Sequence, residues 1–398
     1  MIRRGECVLE YDPYAYALHE NPYPLYERLR GEAPVYRNQS MDFWALSRHA
    51  DVLRAFKDHT IFSNREGVSL DPKSRTPEAA RIGMSFLGMD PPHHTRMRGL
   101  VSRGFTPRRV AALEPRIREM TIGYLDPLIG SGGFDLIDDF AGRLPMDVIS
   151  ELLGVPSADR RQLRKWADLL VHREEGVRDV PPAGSLAFGK LRSYFTELLA
   201  ERRKTPRDDL LSVLTKLELE GDALDDMEIL SFCNLMIVAG NETTTKLIGN
   251  ALYWLDKHPD QRKRIDTREV SIEHWIEETL RYDNSTQMLA RLVTQDVEIR
   301  GHRLAAGDLA LLLVGSANRD EEVFENASAF DVGRDTSAML SFGKGAHFCM
   351  GASLARLEAR VALEEWWSRF SNFEVNSAAA SRVHSINVRG FAHLPVEV

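Results

Sequence analysis

Cysteine is scarce. Cys7, Cys233 and Cys349 are the only three in 398 residues, and none shares a CxxC spacing with another. An odd, scattered set excludes a disulfide framework and a zinc knuckle and suits a reducing compartment. Long hydrophobic runs are absent as well. The N-terminal MIRRGECVLEYDPYAYALHENPYP has two arginines with no apolar stretch behind them. It reads as neither a signal peptide nor a membrane anchor, and a cytoplasmic location is expected. Positive charge is not in excess: 51 Lys+Arg against 59 Asp+Glu leave a net charge of −8. No general affinity for nucleic acid or an anionic membrane follows. Repeats, low-complexity tracts and Gly/Ser linkers are missing too, which favours one continuous domain over residues 1–398.

Helical periodicity dominates what is there. Apolar residues recur at three- and four-residue spacing in Leu25–Leu29, Val110–Tyr124, Ala158–Val171, Ala187–Arg203, Asp226–Lys257, Ile272–Tyr282 and Ala352–Phe370. Strand-like pieces are short: Val35–Tyr36, Phe43–Leu46, Val297–Ile299 and Leu309–Val314, with a hairpin over Asp296–Gly307. Ser63–Pro92, rich in proline, reads as a long loop with at most a short helix, and REEGVRDVPPAG (173–184) separates two helices. The expected class is mainly α with small β-sheets at the edge.

One cysteine sits in FGKGAHFCMG (342–351), just before an amphipathic segment. Free N–H groups at a helix N-terminus favour a thiolate, and Gly343, Gly345 and Gly351 permit positive φ and close approach to a flat ligand. Donors aimed at the sulfur also set the potential of any iron it binds. A lone cysteine is ordinarily a small buried hydrophobe. Here the whole ten-residue pattern F-G-x-G-x-H-x-C-x-G is matched, which the ordinary reading does not explain.

This loop resembles the haem-ligand loop of the cytochrome P450 family. The resemblance implies the P450 fold, a single domain shaped like a triangular prism, with haem b (iron-protoporphyrin IX) as cofactor. Cys349 would be the iron ligand and His347 a propionate contact, within a loop that includes Phe342, Gly343 and Gly351. Cys7 and Cys233 match nothing and read as structural.

The Asp226–Lys257 segment would span roughly 48 Å as a helix, at about 1.5 Å per residue. Its middle passes from LMIVAG to NETTT, too polar for a membrane span, and Glu242 would be costly to bury without a purpose. Threonines in such a place commonly bond back to the preceding turn. Ala239, Gly240, Asn241, Glu242 and Thr243 also match the family's oxygen-handling (A/G)-G-x-(D/E)-T. By that resemblance Gly240 removes bulk where dioxygen fits, Thr243 offers a hydroxyl and Glu242 relays protons. Upstream, DPPHHTRMRGL resembles a further family segment, in which His94 and Arg98, one helical turn apart, would hold propionates, with Arg291 on the other side. Four cationic or potentially cationic groups suit a buried dianion. Glu278 and Arg281 match the family's structural E-x-x-R pair, which Arg334 would join.

The resemblance covers the chain from about Asp12 to the C-terminus. It implies a soluble bacterial-type monooxygenase that hydroxylates or epoxidises a lipophilic guest: a terpenoid, macrolide, steroid or fatty acyl compound. The 63–90 loop, Leu235, Met236, Ala239, residues 286–289 and Ile386 would line the pocket. No flavin or nicotinamide signature follows the haem region, so a ferredoxin and its reductase are the expected electron source. The basic stretch Arg103, Arg108 and Arg109 is either their docking site or a solvated loop. Two alternatives stay open: a peroxide-driven peroxygenase, against which the Glu242–Thr243 pair argues, and a non-enzymatic haem sensor, for which no signalling domain is seen.

Overall fold

Asp225 caps the long central helix, its carboxylate accepting from the Glu228 N–H while the Glu228 side chain returns the bond. This capping box satisfies free donors at one end of a helix that runs unbroken over Asp226–Lys257. The computed structural model describes residues 9–216, 218–219 and 222–398, and Cys7 lies outside them. Around the central helix pack Pro77–Met84, Leu144–Leu153, Ser157–Val171, Ile272–Tyr282 and Ala352–Arg369. Leu247, Ile248, Ala251, Leu252 and Leu255 join one apolar core, while Ile229, Phe232, Cys233, Met236 and Ile237 join another. Buried Cys233 is thus a packing residue. Between these two stretches lies the polar turn, where the site forms.

A five-stranded sheet flanks the helices, in the order Val35–Asn38, Phe43–Leu46, Leu309–Leu312, Leu289–Val293, Phe62–Ser63. Leu309–Leu312 runs parallel to Phe43–Leu46 and antiparallel to Leu289–Val293, pairing Ala310 with Arg291. That register holds Arg291 rigidly at the edge of the site. The Val297–Ile299/His302–Leu304 hairpin turns through Arg300 and Gly301, both at positive φ.

The Asp226–Lys257 and Ile272–Tyr282 helices have the bounds their periodicity predicts. Elsewhere local chemistry moved the ends. The expected Val110–Tyr124 helix is two, Pro107–Ala111 and Glu114–Leu125, each with a proline in its first turn. Pro182 likewise starts its helix five residues before the expected Ala187, since a proline at the first position forfeits no helical bond. Within Ser63–Pro92 there is one α-helix, Pro77–Met84, capped by Thr76, between two 3-10 turns. Leu144–Leu153, His49–Lys57 and the Leu289–Val293 strand carried no sequence expectation; the first and last are too fully buried for a clean period, whereas His49–Lys57 buries one face through Val52, Ala55 and Phe56 and was passed over. Among the described residues no helix is long and apolar enough to cross a membrane.

Candidate active site

The cysteine loop is held by its own backbone. Cys349 N–H donates to Phe342 O at 2.9 Å and Gly343 N–H to Leu340 O at 2.8 Å. Gly343 and Gly345 have φ of 66° and 71°, and a Cβ on Gly345 would lie 2.7 Å from the Phe56 carbonyl. Only glycine fits there. Gly351 differs from expectation: its φ is −83°, and it serves as the N-cap of the Ala352–Arg369 helix. The backbone N–H groups of Gly351 and Ala352 lie beside the Cys349 sulfur, the Ala352 N–H donating to Cys349 O at 3.4 Å. Burial pushes the Cys349 thiol up, while these donors, Arg98 and Arg356 pull the other way. Protein surrounds the sulfur on most sides, yet Cys349 stays exposed on the one that opens into a cavity.

The polar turn of the central helix is the second part of the expected site. Ala239, in the middle of the molecule, is exposed, and Gly240 and Thr243 are half-buried. A Cβ on Gly240 would be directed at Ile149, 3.4 Å from its Cγ1, so its missing side chain relieves packing against that neighbour. Thr243 Oγ1 donates to Ala239 O at 2.9 Å, and Ser285 Oγ donates to Thr243 O at 2.7 Å. With its proton spent on Ala239, the Thr243 hydroxyl turns acceptor lone pairs to the cavity. Glu242 is 2% exposed and accepts from Asn241 Nδ2 at 3.1 Å. Its Oε2 is 3.5 Å from Lys246 Nζ, and Asp168 lies near the same carboxylate.

Four cationic or basic groups ring the same space. Arg98 and His94 come from the His93–Ser102 helix, Arg291 from the sheet and His347 from the cysteine loop. The His94 and His347 rings are 4.2 Å apart, and all four of their ring nitrogens lack a partner among the described residues. Burial and the neighbouring arginines push His347 down to about 2, and burial with Arg98 pushes His94 down to about 4. Arg291, buried beside the Phe56 ring, is lowered to about 10 by burial, with Asp90 alone opposing. Its one hydrogen bond is to Ala290 O, at 2.7 Å, and Arg98 donates to Phe348 O at 2.6 Å. Buried guanidiniums and imidazoles without a facing carboxylate are costly. A flat ligand carrying two carboxylates, with a metal open to thiolate, fits this set.

The Glu278–Arg281 pair is elsewhere and complete. Arg281 makes two 2.7 Å bonds to Glu278 and also donates to Asn318 O, Ala327 O and Ala329 O. Arg334 Nε lies 3.5 Å from Glu278. Of the expected pocket residues, Leu235, Ala239, Thr286 and Leu289 retain exposure, whereas Met288 and Ile386 are buried in a separate core with Tyr11. Sequence reading passed over Asp168, Lys246 and Ser285. Lys246 had a signal, four residues after Glu242 on one helix. Asp168 and Ser285 had none, because they arrive from distant segments.

Known proteins bear out the pattern. The Cytochrome P450 family model matches residues 178–270 and 272–392. A Mycobacterium tuberculosis protein designated cytochrome P450 123 is 53% identical over all of this chain and 99% of its own length. The vitamin D(3) 25-hydroxylase of Pseudonocardia autotrophica is 38% identical, over 97% of this chain and 96% of its own. The crystal structure of CYP109E1 from Bacillus megaterium in complex with testosterone superimposes with a TM-score of 0.88 at 33% identity, covering 96% of this chain and 99% of that one. A glycine-bent cysteine loop, an acid–threonine turn in the central helix and this whole-length kinship make the chain a member of the cytochrome P450 family, a haem b monooxygenase.

Proposed function

We propose that Cys349 would supply the thiolate that binds the haem iron and that His94, Arg98, Arg291 and His347 would hold its two propionates. The observation that carries this is the set of basic side chains around the sulfur, without an ion pair to any carboxylate among the described residues and with two backbone N–H groups beside the sulfur. Bound haem would supply the activation of dioxygen and the insertion of one of its oxygen atoms into a C–H bond or an alkene, the other leaving as water. The chain's own residues do the rest. The N–H groups of Gly351 and Ala352 stabilise the charged sulfur. Thr243 accepts a hydrogen bond in the cavity, fixing the place of a proton donor, and Glu242 brings protons from behind the helix. Leu235, Val238, Ala239 and Leu289 give a lipophilic guest an apolar wall.

A guest of steroid or secosteroid size is the substrate class we favour, since relatives are named for vitamin D(3) hydroxylation and for a testosterone complex. Electrons arrive from a ferredoxin and its reductase. Arg108 and Arg109, exposed on the helix that follows the haem-contacting His93–Ser102 segment, offer an acidic partner a docking surface. Carbon monoxide added to the reduced protein tests the ligand. The red-displaced Soret band of thiolate coordination is expected for the native chain and lost in Cys349→Ser; a folded native sample without that band refutes the assignment. Steroids, secosteroids and fatty acids screened for the spin shift of the ferric haem test the guest.

A further inference from the structure

Hydroxyl groups that bond back to their own helix are common in this protein. Thr121, Thr279 and Thr243 each donate to the carbonyl four residues before, at 2.8, 2.9 and 2.9 Å. Ser285 does something else. Its hydroxyl comes from the segment after the Ile272–Tyr282 helix, forty-two positions on in sequence, and donates to Thr243 O at 2.7 Å. In an unbroken helix that carbonyl is already due the N–H of Leu247, so Ser285 fills its second lone pair. The carbonyls of Ala239 and Thr243, one turn apart on one face, thus both accept a hydroxyl.

The donor itself is firmly placed. Ser285 is 5% exposed, and its own carbonyl accepts the Arg389 N–H at 2.7 Å. Two residues earlier the chain is fixed by buried Asp283, whose carboxylate accepts from Arg389, Tyr23 and Trp254 and whose carbonyl accepts from Asn250 Nδ2 at 2.8 Å. Asn250 belongs to the central helix and stands about two turns beyond Thr243, on the same face. Residues 283–285 therefore lie along the helix with a clamp at each end: Asp283 on Asn250, and Ser285 on Thr243. A side chain supported by rigid neighbours keeps its target in place better than one on a free loop.

The consequence falls on Thr243. Its proton rests on Ala239 O, 2.9 Å away, and must leave that carbonyl whenever the hydroxyl donates into the cavity. The Ser285 bond then remains as a hold from outside the helix. We propose that Ser285 is a positioning residue for the reaction: it fixes the peptide unit that carries Thr243, so that the Thr243 hydroxyl can trade Ala239 O for a partner in the cavity without the turn moving. This rests on the reading that Thr243 serves the cavity. The exchange moves no electrons and no covalent bond. One hydrogen bond of the Thr243 hydroxyl replaces another, while Ser285 keeps its own on Thr243 O.

Methyl-labelled threonine, observed by NMR in the reduced, carbon monoxide-bound holoenzyme, reads Thr243 without turnover; loss of the signal in Thr243→Val assigns it. Ser285→Ala should spread Thr243 over a second χ1 rotamer, shifting the rotamer ratio roughly 2–10-fold, the equivalent of one neutral hydrogen bond. In turnover the same variant should lower product per electron by a similar factor, with haem content unchanged. In a Thr243→Val background it should add no further loss, because the two residues act as one unit. Ser285→Thr, which keeps the hydroxyl, should restore both readings. Native rotamers and native product per electron in Ser285→Ala, or an equal loss from it with and without Thr243, overturns the proposal. Native product per electron in Thr243→Val would instead refute the reading of Thr243, and the rotamer ratio then decides on Ser285 alone. If the added methyl of Ser285→Thr is not tolerated, Ser285→Ala and its pairing with Thr243→Val still decide.

Discussion

Two clusters of buried positive charge in this protein look alike in sequence and differ in structure. Around Arg281 every donor direction is used: Glu278 takes two bonds, and the carbonyls of Asn318, Ala327 and Ala329 take the rest. Around Arg291, His94 and His347 the donors meet almost nothing within the chain. A satisfied cluster fastens helix to loop, whereas an unsatisfied one is kept for something that binds. The distinction is one of partners, since both sets are buried.

Removing one partner from the complete cluster should do the most harm. Glu278→Ala strands a fully buried guanidinium, and a loss of about 3–5 kcal/mol in denaturant-unfolding stability is expected, with or without haem. A loss confined to the haem-bound protein would break the comparison. Asp283 extends the complete class to a second centre, fully buried and bonded to Arg389, Tyr23 and Trp254. Burial would raise its carboxyl, but Arg389, Arg382 and the two side-chain donors lower it to about 2. A depressed carboxylate contributes stability that is fully present above its unfolded pKa and lost as pH falls through the folded value. About 2 kcal/mol should therefore disappear between roughly pH 4 and pH 2. Unfolding curves across that range, compared with Asp283→Asn, check it; a variant with the native acid profile would speak against this centre.

In the incomplete cluster the signs reverse. Arg291→Leu removes a buried charge that makes no ion pair among the described residues, with only Asp90 near it, so the haem-free protein should be as stable as the native one or more so. Haem should bind roughly 10–100-fold more weakly, the effect of about 1.5–3 kcal/mol for a charge-assisted bond. Haem transfer to an apo-globin measures the second quantity and thermal unfolding the first. A destabilised haem-free variant with unchanged haem transfer would place Arg291 in the same class as Arg281.

Much of this site was legible in the chain. FGKGAHFCMG carries its own geometry, because Gly343 and Gly345 take positive φ and the sulfur precedes a helix start by sequence adjacency alone. The Ala239–Thr243 turn was legible for the same reason: a helix places neighbours predictably. Lys246 stood on the same face and was passed over. Asp168 and Ser285 could not be read, for no local pattern says that a residue seventy or forty positions away meets Glu242 or Thr243. Glycine was legible as a residue but not as a role. Gly351 proved to be a helix cap at ordinary φ, and the open side of Gly240 is directed at Ile149.

By itself the sequence determined the helical class, the bounds of the central helix, the cysteine loop and the identity of the basic groups. These depend on periodicity, capping and backbone freedom, which act over a few residues. Tertiary structure alone decided which buried charges are paired, which face of the polar turn stays accessible, and that Asp168 comes near Glu242. Those outcomes depend on what distant segments bring within a few ångströms, and Coulomb and hydrogen-bond energies are set at that range.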